Sequence, residues 1–254
     1  MTAFIVAIPA RYASTRLPGK PLCMIGDQPM IVHVAKRALA AGAKQVVIAT
    51  DDQRIVDAVH MDGVLVCLTS PDHQSGTDRL AECAKILQWP DDEIIVNLQG
   101  DEPFAPADGI RQVATVLAKS SSDMATLACA IQSNEQYHNP NIVKVVRSLK
   151  GRALYFSRAP IPNNRDNPES GYEKSCRHIG IYAYRARFLK QFSELPISSL
   201  ERCESLEQLR VLENGFSIAV ELAVSEFQSG VDTYDDLQHA NRYWQKSHVH
   251  SNAD

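Results

Sequence analysis

The sequence predicts an α/β fold built on a mostly parallel sheet flanked by helices, and three observations carry that expectation. Apolar, β-rich runs at 4–8, 45–50 and 64–68 alternate with helical periodicity at 29–41 and 54–59, a β-α-β-α-β rhythm that implies parallel strands and right-handed crossovers. Further runs at 94–98 and 124–131 bracket an amphipathic stretch with Ile110, Val113, Ala114 and Leu117 on one side. After residue 140 the rhythm breaks, and strand-like segments follow one another without helices between them, which predicts a smaller mixed subregion. With 254 residues, 44% of them hydrophobic, the chain can bury a full core. We expect one domain over 1–245, with the mixed subregion at about 140–225 and a disordered tail at 246–254.

Taken in order, the first strand feeds the loop Pro9-Ala10-Arg11-Tyr12-Ala13-Ser14-Thr15-Arg16-Leu17-Pro18-Gly19-Lys20-Pro21, and Ile31, Val34, Ala35, Ala38 and Leu39 mark the inner face of the helix after it. The loop carries three cations, Arg11, Arg16 and Lys20, no acid, and small residues that let a ligand approach the backbone. At the carboxyl end of a first strand, this composition suits a polyphosphate. The spacing R-x4-R-x3-K is neither a P-loop nor a G-x-G-x-x-G dinucleotide fingerprint.

Thr50-Asp51-Asp52 closes the second strand with a helix N-cap signal. After the third strand, Ser75-Gly76-Thr77-Asp78-Arg79 opens a helix with Leu80, Cys83, Ala84 and Leu87 inward; its polar residues could read a base or simply cap the helix among solvated neighbours. The run 94–98 passes straight into Gln99-Gly100-Asp101-Glu102-Pro103. An acid directly after a buried strand points into the crevice of such a sheet, so Asp101 is a candidate Mg²⁺ ligand, the alternative being a cap for the helix that begins near Pro106.

In the mixed subregion, 142–146 and 153–157 read as strands and 163–175 as a mobile polar loop. Along 177–185, His178, Gly180, Tyr182 and Tyr184 share one pleat face, which reads equally as a pocket wall or as a half-exposed strand. Residues 200–213 read as one amphipathic helix, 217–224 as a strand, and Thr233 as the N-cap of the last helix, with Asp235 and Asp236 in its first turn.

A formal net charge of -4 argues against a nucleic-acid or membrane-surface role. No apolar run approaches the ~18 residues of a membrane span, and no leader pattern is evident, so a cytoplasmic protein is expected. Six scattered cysteines without a C-x-x-C pair indicate neither a zinc site nor a disulfide framework.

Several long strings in this order, P-A-R-Y-A-S-T-R-L-P-G-K-P-L, D-H-Q-S-G-T-D-R-L, N-L-Q-G-D-E-P, A-L-Y-F-S-R-A-P-I-P, R-H-I-G-I-Y-A-Y, L-E-Q-L-R-V-L and G-V-D-T, resemble the 3-deoxy-manno-octulosonate (Kdo) cytidylyltransferase family over nearly the whole chain. The resemblance implies a Rossmann-like nucleotide-diphospho-sugar transferase fold, a homodimer, and the conversion of CTP and Kdo, an acidic 2-keto sugar, to CMP-Kdo and pyrophosphate for lipopolysaccharide synthesis. It places Arg11, Arg16 and Lys20 on the triphosphate and Ser75, Gly76, Arg79 and Gln99 around the cytidine. Asp101 and Asp232 would bind Mg²⁺, and Arg158, His178, Tyr182, Glu207 and Gln208 would contact the sugar. In this reading Arg16, Lys20, Asp101 and Asp232 form the catalytic group. The same chemistry on 8-amino-Kdo or sialic acid is the alternative. Ser225-Glu226-Phe227-Gln228-Ser229 stands where the family often has Pro-Gly, which leaves the approach of Asp232 to the metal open.

Overall fold

A computed structural model describes residues 2–73 and 75–249. The strands are β1 Ile5–Ala10, β2 Met24–Ile25, β3 Gln28–Pro29, β4 Gln45–Thr50, β5 Val64–Leu68, β6 Ile94–Asn97, β7 Met124–Ala130, β8 Lys144–Arg147, β9 Ala153–Ser157, β10 Cys176–Arg185 and β11 Ile218–Leu222. The helices are α1 Met30–Ala40, α2 Gln53–Ala58, α3 Gly76–Ile86, α4 Ala107–Lys119, α5 Asn134–His138, α6 Ala186–Phe192, α7 Ser199–Glu204, α8 Gln208–Glu213 and α9 Tyr234–Val249.

Nine strands share one sheet in the order β11-β7-β10-β6-β1-β4-β5, with β8 beside β10 and β9 beside β8. The pairs β1/β4, β4/β5 and β1/β6 are parallel, as the alternating rhythm predicts, and β7/β11 is parallel as well. The break in that rhythm is β10, which runs antiparallel between β6 and β7 and carries β8 and β9 on its edge. Both faces of β1 are buried, as a strand covered by helices on two sides requires. Val6 and Ile8 face Ile31, Val34 and Ile110, whereas Ile5 and Ala7 face the layer holding Leu80, Cys83 and Leu209.

Three expectations need correction. The single helix expected over 200–213 is two: Ser205, at φ 52°, ends α7 in a left-handed turn before α8 begins. The break is imposed from outside, because the Glu204 carboxylate accepts from Ser157 Oγ at 2.6 Å and from the Arg158 amide at 2.9 Å and so fixes the end of α7 on β9. The polar segment 163–175 holds a 3₁₀ helix, Pro168–Lys174, and is tied down at Ser175 Oγ, which donates to the Ile161 carbonyl. The tail does not begin at 246, since α9 continues to Val249, and residues 250–254 lie outside the described residues. That helix is anchored where Trp244 lies flat on Gly26 and where Asn241 accepts from the Gly26 amide and donates to the Met24 carbonyl.

Candidate active site

The chain leaves β1 toward β4 and β5, then returns to place β6 on the other side of β1. Such a reversal opens a crevice at the carboxyl ends of the two central strands. The loops after β1 and β6 both enter it, and with the start of α3, Glu207 and Asp232 they line a cleft of about 420 Å³. Gly100 is needed here, because a Cβ would lie 2.9 Å from the Pro9 carbonyl oxygen and force the two loops apart.

The loop after β1 folds back on Tyr12, whose carbonyl accepts from the Ser14 and Gly19 amides. Gly19, at φ 66°, then turns the chain into a short 3₁₀ turn that begins at Lys20. The Lys20 ammonium lies 2.6 Å from Asp101 Oδ2 and 3.1 Å from Asp232 Oδ1, and Arg16 Nη2 reaches the same Asp232 oxygen at 3.0 Å. Burial works against the charge on Lys20, but Asp101 and then Asp232 outweigh it and hold the ammonium above its ordinary pKa. The divergent segment 225–229 leads into a loop that the backbone ties to Asp101. The Val231 amide donates to the Asp101 carbonyl at 2.9 Å and Gly230 packs on Asp101, so the two acidic loops are joined next to their carboxylates. Asp101 is not a helix cap, since Pro106 holds that position on α4 without a side-chain cap.

Two carboxylates on separate loops that already share one cation fit a Mg²⁺ site, because Mg²⁺ takes one or two protein carboxylates and completes its shell with water and substrate phosphates. Among the described residues no cluster of three or more His, Cys, Asp or Glu exists to form an all-protein cage.

Ser75 caps α3, accepting from the Asp78 amide at 3.1 Å and donating to the Asp78 carboxylate at 2.8 Å, so capping and cleft lining coexist in this residue. Gly76 lines the cleft where a Cβ would crowd Pro9. Gln99 lines it too and donates to Asn97 Oδ1 at 3.2 Å, and Glu207 closes the opposite wall, with Thr77 Oγ1 donating to its Oε2 at 2.9 Å. Burial pushes the Glu207 carboxyl up, partly offset by the Thr77 bond.

Five expected residues lie off this cleft. Arg79 is fully buried beneath it, with Nη1 on Thr69 Oγ1 at 2.6 Å and Nη2 on Asp51 Oδ2 at 2.9 Å, so it braces α3 against the ends of β4 and β5. Arg158 is clamped by carbonyls of Glu204, Pro140 and Ser205, which places it as a fastener of the α7–α8 junction. His178 and Tyr182 stand together on one face of β10, ring centroids 5.3 Å apart, with Phe156 packed edge-on to His178. Burial drives the His178 imidazole down to about 3, so it is neutral near pH 7. Gln208 is buried in the first turn of α8.

Glu102 was given no role by sequence reasoning. It is held up to about 8 by burial and then by Asp101, and its adjacency to Asp101 was the only signal for it. Asp51 and Thr77 were missed because their importance lies in contacts made across 28 and 130 residues.

The sequence profile of the cytidylyltransferase family matches residues 5–221. The chain belongs to this family. Among cytidylyltransferases it is 60% identical over 247 residues to the 3-deoxy-manno-octulosonate cytidylyltransferase of Xanthomonas campestris pv. campestris (strain B100), covering 94% of this chain and 88% of that one. It is 54% identical over 251 residues to the enzyme of the same name from Stenotrophomonas maltophilia (strain K279a), covering 94% and 96%. A solved structure of CMP:2-keto-3-deoxy-manno-octonic acid synthetase complexed with CTP superposes with a TM-score of 0.88 at 41% identity, over 96% of this chain and 99% of that one.

Proposed function

We propose that this cytidylyltransferase joins CTP to 3-deoxy-manno-octulosonate, giving CMP-Kdo and pyrophosphate. The anomeric hydroxyl oxygen bonds to the α-phosphorus, the bond to the β-phosphate bridging oxygen breaks, pyrophosphate departs with that electron pair, and the hydroxyl proton passes to solvent. The observation that carries the reading is the convergence of Asp101, Asp232, Arg16 and Lys20 at the crevice between β1 and β6.

Arg11, Arg16 and Lys20 are the cations of the cleft wall and oppose the charge of a triphosphate, Lys20 from a fixed and largely buried position. Ser75, Gly76 and Gln99 form the nucleotide side, and Glu207 offers an acceptor to sugar hydroxyls. Asp101 and Asp232 would hold Mg²⁺, which supplies Lewis-acid charge stabilisation to the phosphates when bound. The chain's own contribution in this reading is positioning and electrostatic stabilisation. His178 and Tyr182 lie off the cleft lining but side by side on β10, with Tyr182 in the electrostatic field of Glu207, and would meet a sugar that reaches past Glu207. A cytoplasmic homodimer completes the proposal. Among the described residues no helix is long and apolar enough to cross a membrane.

Pyrophosphate release measured across the four NTPs, each with Kdo, 8-amino-Kdo and sialic acid, tests the reading. Turnover is expected with CTP and Kdo in the presence of Mg²⁺. A preference for CTP with another acidic sugar would replace the substrate, and no release with any pair would remove the transferase activity.

A further inference from the structure

We propose that Thr77 is a positioning residue for the sugar: its hydroxyl fixes the Glu207 carboxylate at the wall of the cleft. The inference rests on the reading of the cleft given above, in which Glu207 meets the sugar.

Glu207 stands at the turn between α7 and α8, a point where the chain has just passed through the left-handed Ser205. A long carboxylate side chain at such a turn has several rotamers open to it. The Arg210 guanidinium, whose charge acts on Glu207, directs Nε and Nη2 to Glu201, at 2.7 Å and 2.5 Å. Among the described residues the Thr77 hydroxyl is the hydrogen-bond donor that reaches Glu207, at 2.9 Å. Thr77 is buried and follows Gly76, itself part of the cleft wall, so one turn of α3 faces the nucleotide through Ser75 and Gly76 and the sugar through Thr77 and Glu207.

The direction of the bond follows from proton counting. A threonine hydroxyl has one proton, and a carboxylate can only accept, so Thr77 gives that proton to Glu207 and is an acceptor toward everything else. The buried Tyr184 lies within interaction range of Thr77, Asn97 and Glu207. Asn97 in turn accepts from Gln99, another cleft residue. With one carboxylate oxygen engaged by Thr77, the other remains to accept from a sugar hydroxyl.

The test is a double-mutant cycle of Thr77→Val and Glu207→Gln, with Thr77→Ser as the conservative control, reading KM for Kdo, kcat, CTP affinity by calorimetry and the melting temperature. Thr77→Val removes the donor at nearly constant volume. It should raise KM for Kdo about tenfold, the effect of one lost bond to a charged group, while CTP affinity stays within about twofold. Thr77→Ser should restore KM. On the Glu207→Gln background Thr77→Val should add little, because the group it acts through is already altered. An additive cycle, or a loss of CTP affinity equal to the loss for Kdo, would overturn the inference. If Glu207→Gln raises KM for Kdo and Thr77→Val does not, the inference fails alone. If Glu207→Gln leaves KM for Kdo unchanged, the sugar role of Glu207 fails and the inference with it. Should Thr77→Val not fold, Thr77→Ala carries the same cycle.

Discussion

Lys20→Met separates the two tasks that its ammonium performs. In the free enzyme the charge lies 2.6 Å from Asp101 and 3.1 Å from Asp232, with 18% of the side chain exposed. A unit pair at 4 Å is worth about 4 kcal/mol at an effective dielectric constant of 20, so each contact is strong compared with a surface ion pair. Removing the charge leaves two neighbouring carboxylates faced by Arg16, whose side chain is 66% exposed and therefore a weak substitute. The CTP-free variant should bind Mg²⁺ more tightly than the parent, since no ammonium competes for the same oxygens. Catalysis should move the other way: losing one preorganised charge from the leaving pyrophosphate costs about 2.7–4 kcal/mol, or ~10²–10³ in kcat. Because Lys20 is held above its ordinary pKa, it is charged throughout the neutral range, and its contribution is lost only as pH rises through that raised value. The ratio of variant to parent kcat should therefore be flat from about pH 6 to 9. Mg²⁺ calorimetry and single-turnover rates provide the measurements. Weaker Mg²⁺ binding in the variant, or a fall in kcat below about tenfold, would refute the assignment of Lys20 to both roles.

Three further outcomes follow from particular contacts. Asp51→Asn leaves the buried Arg79 charge without its partner and should cost about 3–5 kcal/mol in urea unfolding, with CTP affinity changed only to the extent that the fold loosens; a CTP defect without loss of stability would return Arg79 to the nucleotide site. Gly100→Ala places a methyl 2.9 Å from the Pro9 carbonyl oxygen and should cost about 1–3 kcal/mol while lowering kcat by shifting Asp101, and unchanged turnover would show that the loops can separate without consequence. His178, neutral in the fold and down at about 3, favours the native state above its ordinary pKa near 6.5 and withdraws that support as pH falls toward 3. The melting temperature of His178→Gln relative to the parent should therefore rise as pH drops from about 6.5 to 4, and a constant difference would mean that the ring is solvated.

How much of this could be read from the chain depended on the range of the forces involved. The first five strands of the α/β region and the helices between them follow from local apolar periodicity, and the parallel pairing of β1, β4, β5 and β6 follows from the crossover helices, whereas the insertion of β10 between β6 and β7 does not. The position of the site was legible for the same reason, since a cationic loop after the first strand and an acid after a later buried strand belong at one crevice. What local pattern could not supply was the break between α7 and α8, where the helical spacing of Leu206, Leu209 and Leu212 begins directly after a left-handed Ser205 and gives no sign of it. The contact that decides it, Glu204 on Ser157 and Arg158, spans more than 40 residues.

Arg79 and Arg158 expose the same limit at the level of function. Each sits in a motif whose neighbours line the cleft, and a guanidinium is as well suited to bind a ligand as to gather carbonyls and carboxylates inside a fold. Sequence fixes the chemical capacity of such a group but not which acceptors reach it first. For Arg79 those acceptors are Asp51 and Thr69, each just past the end of a strand. For Arg158 they are three main-chain carbonyls that settle the turn carrying Glu207. Their effect on the cleft is therefore exerted through geometry: Arg79 holds the helix whose first turn presents Ser75, Gly76 and Thr77, and Arg158 holds the turn that brings Glu207 to meet them. Lys20 differs because its acceptors are the two carboxylates of the cleft itself, so the competition that ties Arg79 and Arg158 into the fold keeps this cation beside Asp101 and Asp232.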